Sequence, residues 1–343
     1  MISVLALFFG TWAITGLVRR YALRKGVLDI PNHRSSHSVA TPRGGGLSFV
    51  LVFNVFVLIY SVITHVSLHM VIGLIGAGVI IAVLGWLDDR KDLSAGLRFA
   101  VHIIAAIWAV SWIGGLPEIS IGYRTLRLGF AGSILAVVGI VWSINLYNFM
   151  DGIDGFSGAE AVTVATFGGL LSLLANNLLL AHLSFALAIS VGGFLAWNWP
   201  PAKIFMGDVG SCFLGLTFAY LALLSEKTGG APLIVWLMLL SVFIADATLT
   251  VIRRQMSGEK WYEAHRSHVY QLAVQAGYSH KEVTVMVIFM NACLALMALI
   301  AQRFQSLLFP LFIISYGLLT ILHVWLYTKW ATRSVGMPKT NDK

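Results

Sequence analysis

The feature that most constrains this chain is a recurrence of apolar runs, each 17 to 22 residues long, separated by short polar segments. A helix needs about 20 mostly apolar residues to cross a bilayer. Backbone groups facing hydrocarbon must be hydrogen-bonded within their own segment, so such runs read as helices. Eleven candidates fall at 2–18, 44–64, 70–87, 99–116, 130–147, 159–175, 178–197, 209–225, 231–251, 284–301 and 306–327. The expected fold is all-α: a polytopic membrane protein with about eleven transmembrane helices. It forms one domain over 1–328, followed by a cytoplasmic tail at 329–343. Of its 343 residues, 58% are apolar and 11% charged, against roughly 25% charged in a soluble domain. That balance excludes a soluble globular domain, a disordered tail and a nucleic-acid-binding module. Cys212 and Cys293 lie in apolar runs and read as buried small hydrophobes rather than a disulfide or a metal pair.

Charge placement sets the expected orientation. The polar segments 19–43, 88–98, 148–158, 198–208 and 252–283, with the C-terminus, carry 19 of the 23 Lys and Arg; the alternate segments carry Arg124, Arg127, Lys227 and Arg303. The positive-inside rule puts the first set in the cytoplasm, with a periplasmic N-terminus and a cytoplasmic C-terminus. The basic balance of +8 then reflects topology and not a nucleic-acid partner. Arg19 and Arg20 follow the first run instead of preceding it, which fits a retained helix and not a signal peptide. On the outer side, 117–129 alternates apolar and polar residues around Gly122-Tyr123 and reads as a small hairpin.

The acidic residues cluster at the cytoplasmic ends of the spans: Asp88, Asp89 and Asp92, then Asp151, Asp154 and Glu160, then Asp208. Carboxylates near hydrocarbon are costly and mark ion or substrate sites. Simple solvation suits Asp92, Glu259, Glu263, Glu282 and Asp342, but not Asp151 and Asp154, because 148–158 contains no Lys or Arg. Asp246, near the cytoplasmic end of the ninth run, is the one clear intramembrane acid. The adjacent pair Asp88-Asp89 needs a nearby cation. Asp151 and Asp154 have the spacing of one helix face. Asp208 stands between glycines just before a span, where exposed N–H groups attract anions. An oxygen-rich set without clustered Cys favours a hard cation, Mg²⁺ or Mn²⁺, held by one or two carboxylates and substrate phosphates.

Arg98, Lys203 and Arg266 are candidates to face phosphates, with membrane-flanking cations as the plainer reading. His265 and His268 are expected to share a face of a cytoplasmic helix ending near Gly277. No HExxH occurs, which disfavours a zinc protease. Ser279–Glu282 fits a capping box.

Five segments in this order resemble the polyprenyl-phosphate N-acetylhexosamine-1-phosphate transferases, glycosyl transferase family 4: PNHRSSHSVATPRGGG (31–46), DDRKDLSAGLRF (88–99), NLYNFMDGIDGFSG (145–158), NWPPAKIFMGDVGS (198–211) and HRSHVYQ (265–271). The resemblance spans nearly the whole chain. It implies transfer of a sugar 1-phosphate from a UDP-sugar to undecaprenyl phosphate with Mg²⁺, releasing UMP at the cytoplasmic face of a bacterial inner membrane. By motif match, Asp88 and Asp89 would stand at the metal–diphosphate or lipid-phosphate site. Asp208 would be the Mg²⁺ ligand; Asp151 and Asp154 would shape the nucleotide side, Asp151 serving also as a metal ligand. Asn148 and Asn198 would be polar partners, and His265, Arg266 and His268 would lie near the sugar. HRSHVYQ resembles the O-antigen-initiating branch that uses FucNAc or QuiNAc donors. The expected partners are a UDP-N-acetyl sugar, undecaprenyl phosphate and the bilayer, with a homodimer as an allowed assembly.

A phosphate monoester with its second pKa near 6 is mostly dianionic at neutral pH. Direct in-line attack by the lipid phosphate is therefore expected ahead of an aspartyl-phosphate intermediate. The main rival is a transporter or flippase, which would place its charges at mid-membrane on broken helices.

Overall fold

The computed structural model describes residues 4–31, 36–37, 39–116, 118–259 and 265–336. The helices are α1 (Val4–Lys25), α2 (Leu47–Thr64), α3 (Leu68–Lys91), α4 (Ala95–Ile113), α5 (Phe130–Met150), α6 (Phe156–Leu174) and α7 (Leu178–Asn198). They continue as α8 (Asp208–Lys227), α9 (Leu233–Leu239), α10 (Ser241–Met256), α11 (Val269–Gln275), α12 (His280–Arg303) and α13 (Leu308–Gly336). Two short antiparallel pairs punctuate them: β1 (Leu28–Asp29) with β2 (Thr41–Pro42), and β3 (Glu118–Ile121) with β4 (Arg124–Arg127).

Among the described residues nine helices are long and apolar enough to cross a membrane: α2 to α8, α12 and α13. The bent pair α9–α10, counted as one broken span, brings the number to ten. The run expected as one span at 231–251 is thus two helices that meet at Leu240 with a bend of 76°. α1 packs on α7, where Trp197 Nε1 donates to the Trp12 carbonyl at 3.0 Å, but with Arg19, Arg20, Arg24 and Lys25 along it α1 falls outside those ten by composition. α13 continues through 329–336, the first part of the expected tail, and 337–343 lie outside the described residues.

α8 is the hub, buried over almost its whole length. Small residues let its neighbours approach backbone to backbone, the usual way helices pack where lipid removes the hydrophobic drive. A side chain at Gly85 of α3 would meet the backbone at Val209 within 2.6 Å, and Gly210 abuts the backbone of Gly46. Ser143 of α5 donates to the Gly215 carbonyl at 2.7 Å. These contacts bring the N-terminus of α8 to the centre of one end of the bundle, beside the C-terminal turns of α3 and α5. At the opposite end the β3–β4 hairpin matches the expected turn around Gly122, with Ile121 opposite Arg124; Pro117 lies outside the described residues. Glu226 pins it by accepting from the Ser120 amide at 2.7 Å. Cys212 is buried as expected, whereas Cys293 lies on the exposed face of α12.

Candidate active site

Three aspartates meet where α3 ends and α8 begins. α3 runs through Lys91, so Asp88 and Asp89 belong to its last turns and not to a loop. Asp208 is the first residue of α8, and its amide donates to Asp89 Oδ1 at 3.0 Å. Asp88 accepts from the Leu93 amide at 2.7 Å and from Arg98 Nη1 at 3.0 Å. Its carboxyl also lies within hydrogen-bonding reach of the Asp208 carboxyl. Two such groups in contact require a proton or a cation between them. Asn148, in the last turn of α5, donates to Asp208 Oδ1 at 3.0 Å and to Ser211 Oγ at 3.1 Å.

The central cation was not singled out in the sequence. Arg43 Nε lies 2.8 Å from Asp89 Oδ1, and its Nη2 lies 2.7 Å from Asp208 Oδ1. Burial alone would lower the Arg43 pKa, but Asp208 and Asp89 outweigh it and hold the guanidinium above its ordinary value. The local fold explains its position. The Phe205 amide donates to the Pro42 carbonyl at 2.8 Å, and the Gly45 and Gly46 amides donate to Phe205 and Met206 at 2.9 and 2.8 Å. The glycine-rich turn is thereby zipped onto the segment that leads into Asp208. Gly207, at φ +75°, makes the entry turn; a side chain there would lie 2.5 Å from Asp89 Oδ2.

Asp151 and Asp154 do not share a helix face. Asp151 caps α5, and Asp154 sits in the turn before α6, which Gly155 closes at φ +74°. Burial pushes the Asp151 carboxyl up to about 7; Ser157 opposes the shift, and Asp208 and Asp89 add to it. Burial would also raise Asp154, but His280 and the Ala202 amide outweigh it and hold its carboxyl below the usual carboxylate range. His280 Nδ1 stands 3.4 Å from Asp154 Oδ1, a partner hidden within the capping box that Ser279 and Glu282 do form. Asn198 is buried and ties two segments together: it accepts from the Gly155 amide and donates to the Ile204 carbonyl, both at 3.0 Å.

The remaining candidates lie elsewhere. The Lys203 ammonium stands 5.7 Å over the Trp197 ring. α11 begins at Val269, so His265 precedes the helix and His268 is its N-cap, in place of the expected shared face; their rings are still only 4.8 Å apart. His268 is buried against Asp246, with Nδ1 3.7 Å from Oδ1. Burial, then His268, Arg254 and Arg253, lower His265 to about 3, which keeps its imidazole neutral at physiological pH. Arg266 is exposed, and its carbonyl accepts from Gln275 at 2.9 Å. Glu160 is buried in α6 and hydrogen-bonded to Asn291 of α12, not grouped with the other acids. Glu263, Asp342 and residues 32–35 and 38 of the first motif lie outside the described residues.

Two cavities meet at this cluster. A polar one of ≈ 260 Å³ is lined by Arg43, Asn148, Asp151, Asp154, Asp208 and Gln271, with Asp29, His37, Phe205 and His280 among its other walls. An apolar one of ≈ 680 Å³ runs between α3, α4 and α5, lined by Phe99, Ile103, Val137, Val138, Val141 and Trp142. It ends at Asp88, Arg98, Asn148 and Asp208, so Asn148 and Asp208 face both spaces.

The donor set suits a hard cation. It is all oxygen, and Asp89 Oδ2 is buried with no hydrogen-bond partner among the described residues. Among the described residues no three His, Cys, Asp or Glu side chains are placed to hold a metal by themselves. A Mg²⁺ ion here would be held by one or two carboxylates and would complete its shell with substrate phosphates and water.

A bundle of membrane-length helices with this acidic cluster at one end defines a polytopic membrane protein with a polar site at one end, and its relatives make it a transferase. The chain belongs to glycosyl transferase family 4, whose family model matches residues 71–226. It is 32% identical over 305 residues to a probable undecaprenyl-phosphate N-acetylglucosaminyl 1-phosphate transferase of Bacillus subtilis, covering 88% of this chain and 84% of that one. A Haemophilus influenzae undecaprenyl-phosphate alpha-N-acetylglucosaminyl 1-phosphate transferase is 29% identical over 350 residues, 97% of each chain. A Mycobacterium tuberculosis decaprenyl-phosphate N-acetylglucosaminephosphotransferase is 31% identical over 312 residues, 81% of this chain and 76% of that one.

Proposed function

We propose that the protein transfers an N-acetylhexosamine 1-phosphate from a UDP-sugar to undecaprenyl phosphate, forming undecaprenyl-diphospho-sugar and UMP. The reaction would take place at the cytoplasmic face of a bacterial inner membrane, as the first step of an O-antigen or related envelope polysaccharide. The observation that carries this reading is the meeting of a polar and an apolar cavity at Asp208 and Asn148. A water-soluble nucleotide and a long-chain lipid phosphate need such an arrangement, and the relatives' activities supply the reaction class.

The chain's own groups account for the chemistry. Arg98 at the mouth of the apolar groove would hold the lipid phosphate, and Arg43 would offset donor charge as the two anions approach. Asp208 and Asp151, which line the polar cavity together, would hold Mg²⁺ or Mn²⁺, which would supply charge neutralisation of the diphosphate, while Asp88 and Asp89 fix the start of α8 from the side of α3. A lipid phosphate oxygen attacks the sugar-bearing phosphorus; a new P–O bond forms as the bond to UMP breaks, and the electron pair leaves with UMP. The dianionic nucleophile needs no covalent enzyme intermediate. Asn148 would orient Asp208, and Asp154 with His280 would shape the far wall of the donor cavity. One phosphoanhydride replaces another, so the reaction should be readily reversible.

The relatives are named for N-acetylglucosamine, whereas HRSHVYQ at 265–271 resembles the FucNAc and QuiNAc users. A donor panel with purified protein separates these sugars. UMP release should require both undecaprenyl phosphate and a UDP-sugar. Absence of UMP with every donor, or lipid translocation without it, would overturn the reading in favour of a flippase.

A further inference from the structure

We propose that Asp246 is a positioning residue for donor binding, which anchors the start of α11 from inside the bundle and so sets one wall of the donor cavity. The inference rests on the functional reading above and extends it to a residue that lines no part of that cavity.

Asp246 is buried on α10, where a carboxylate is retained only if its partners repay the desolvation. Its partners come from three elements. Oδ1 accepts from the Val269 amide at 2.9 Å and from Thr250 Oγ1 at 3.2 Å, and Oδ2 accepts from the Tyr270 amide at 3.2 Å. His268 Nδ1 and His323 Nδ1 of α13 stand 3.7 and 3.6 Å from Oδ1. Both oxygens are thus committed to the first backbone amides of α11, in a bidentate clamp that fixes position as well as direction.

α11 passes that position on to the site. The Tyr270 hydroxyl donates to the Phe149 carbonyl at 3.0 Å, and its ring stacks on Phe156 with centroids 4.7 Å apart. A side chain at Gly152 would collide with the Tyr270 hydroxyl, so the turn carrying Asp151 is moulded on this tyrosine. Gln271, next in sequence, lines the donor cavity with Asp151 and Asp154. Asp246 therefore acts at a distance: it holds the α11 backbone, Tyr270 holds the Asp151 turn, and Gln271 faces the nucleotide sugar.

The test is a comparison of Asp246→Asn, Asp246→Glu and Tyr270→Phe in the full-length detergent-purified protein. Asp246→Asn keeps the shape but replaces one acceptor by an amide N–H₂. Its KM for the UDP-sugar should rise about tenfold or more, the size of one lost clamp bond. The KM for undecaprenyl phosphate should stay at the wild-type value, and Asp246→Glu should recover part of the loss. Tyr270→Phe, which removes the hydroxyl that meets Phe149 and Gly152, should shift the donor KM in the same direction. Binding of UDP alone, measured by titration calorimetry, should weaken in parallel. A folded Asp246→Asn with unchanged donor KM and UDP affinity, or with both KM values raised equally, would overturn the assignment. If Asp246→Asn does not fold, an unchanged donor KM in Tyr270→Phe overturns it instead. Should the wild-type release no UMP from any donor, the proposed reaction fails, while UDP titration still decides the positioning role.

Discussion

Arg43 Nη2 meets Asp208 Oδ1 at 2.7 Å, joining a glycine-rich turn to a helix start 165 residues further along the chain. The same guanidinium holds Asp89, so one cation fixes two of the three clustered aspartates. Its planar fork does what a single ammonium cannot. Arg43→Ala should lower turnover by about 10²-fold or more, the scale for loss of one preorganised charge-stabilising donor. Arg43→Lys should recover only a small part of it. Rates of UMP release check both; near-wild-type turnover of Arg43→Ala would remove the residue from the site.

Asp208 is the only one of the clustered acids that touches Arg43, Asn148, Asp88 and both cavities. Asp208→Asn keeps the size of the side chain while halving its capacity to hold a cation. Turnover should fall to a small residue and lose its dependence on Mg²⁺ concentration. A titration of activity against Mg²⁺ reads this directly, and wild-type behaviour at limiting Mg²⁺ would refute the role.

The parts legible in sequence were those written in local pattern. Apolar runs of helix-spanning length and three clusters of acids at one set of span ends pointed to the bundle and to the end that carries the site. Arg43 stayed hidden because its partners come from α3 and α8, and no spacing within 31–46 records that contact; the signal was a lone arginine beside three glycines. The i, i+3 spacing of Asp151 and Asp154 suggested a helix face, but Gly152 and Gly155 favour a turn, and α6 starts only at Phe156. His280 read as part of a helix cap, and it is; that it also reaches Asp154 depends on how α12 packs against α6. The break at Leu240 had no proline or glycine to announce it.

His265 supplies a pH signature. Its folded pKa is lowered to about 3 by burial and then by His268 and nearby arginines, against about 6.5 in an unfolded chain. Between those values the unfolded state binds more protons, so stability is fully present above the unfolded pKa and declines as pH falls. His265→Gln removes that proton uptake. The drop in apparent Tm between pH 7 and pH 5 should be smaller in the variant than in the wild type, and equal slopes would show that the imidazole is not held neutral.

The apolar groove predicts a change confined to the lipid. Val138 is an exposed lining residue on α5, away from Asp208 and from the polar cavity. Val138→Trp adds a bulky ring where a polyprenyl chain would lie, without burying a polar group or leaving a void. If the groove takes the acceptor, the KM for undecaprenyl phosphate should rise about tenfold, equivalent to about 1.4 kcal/mol of binding. The KM for the UDP-sugar should stay unchanged, because Asn148 and Asp208 keep their contacts on the other side. A shorter polyprenyl phosphate that ends before Val138 should be less affected than the full-length lipid. Equal effects on donor and acceptor would mean that the groove does not carry the acceptor chain.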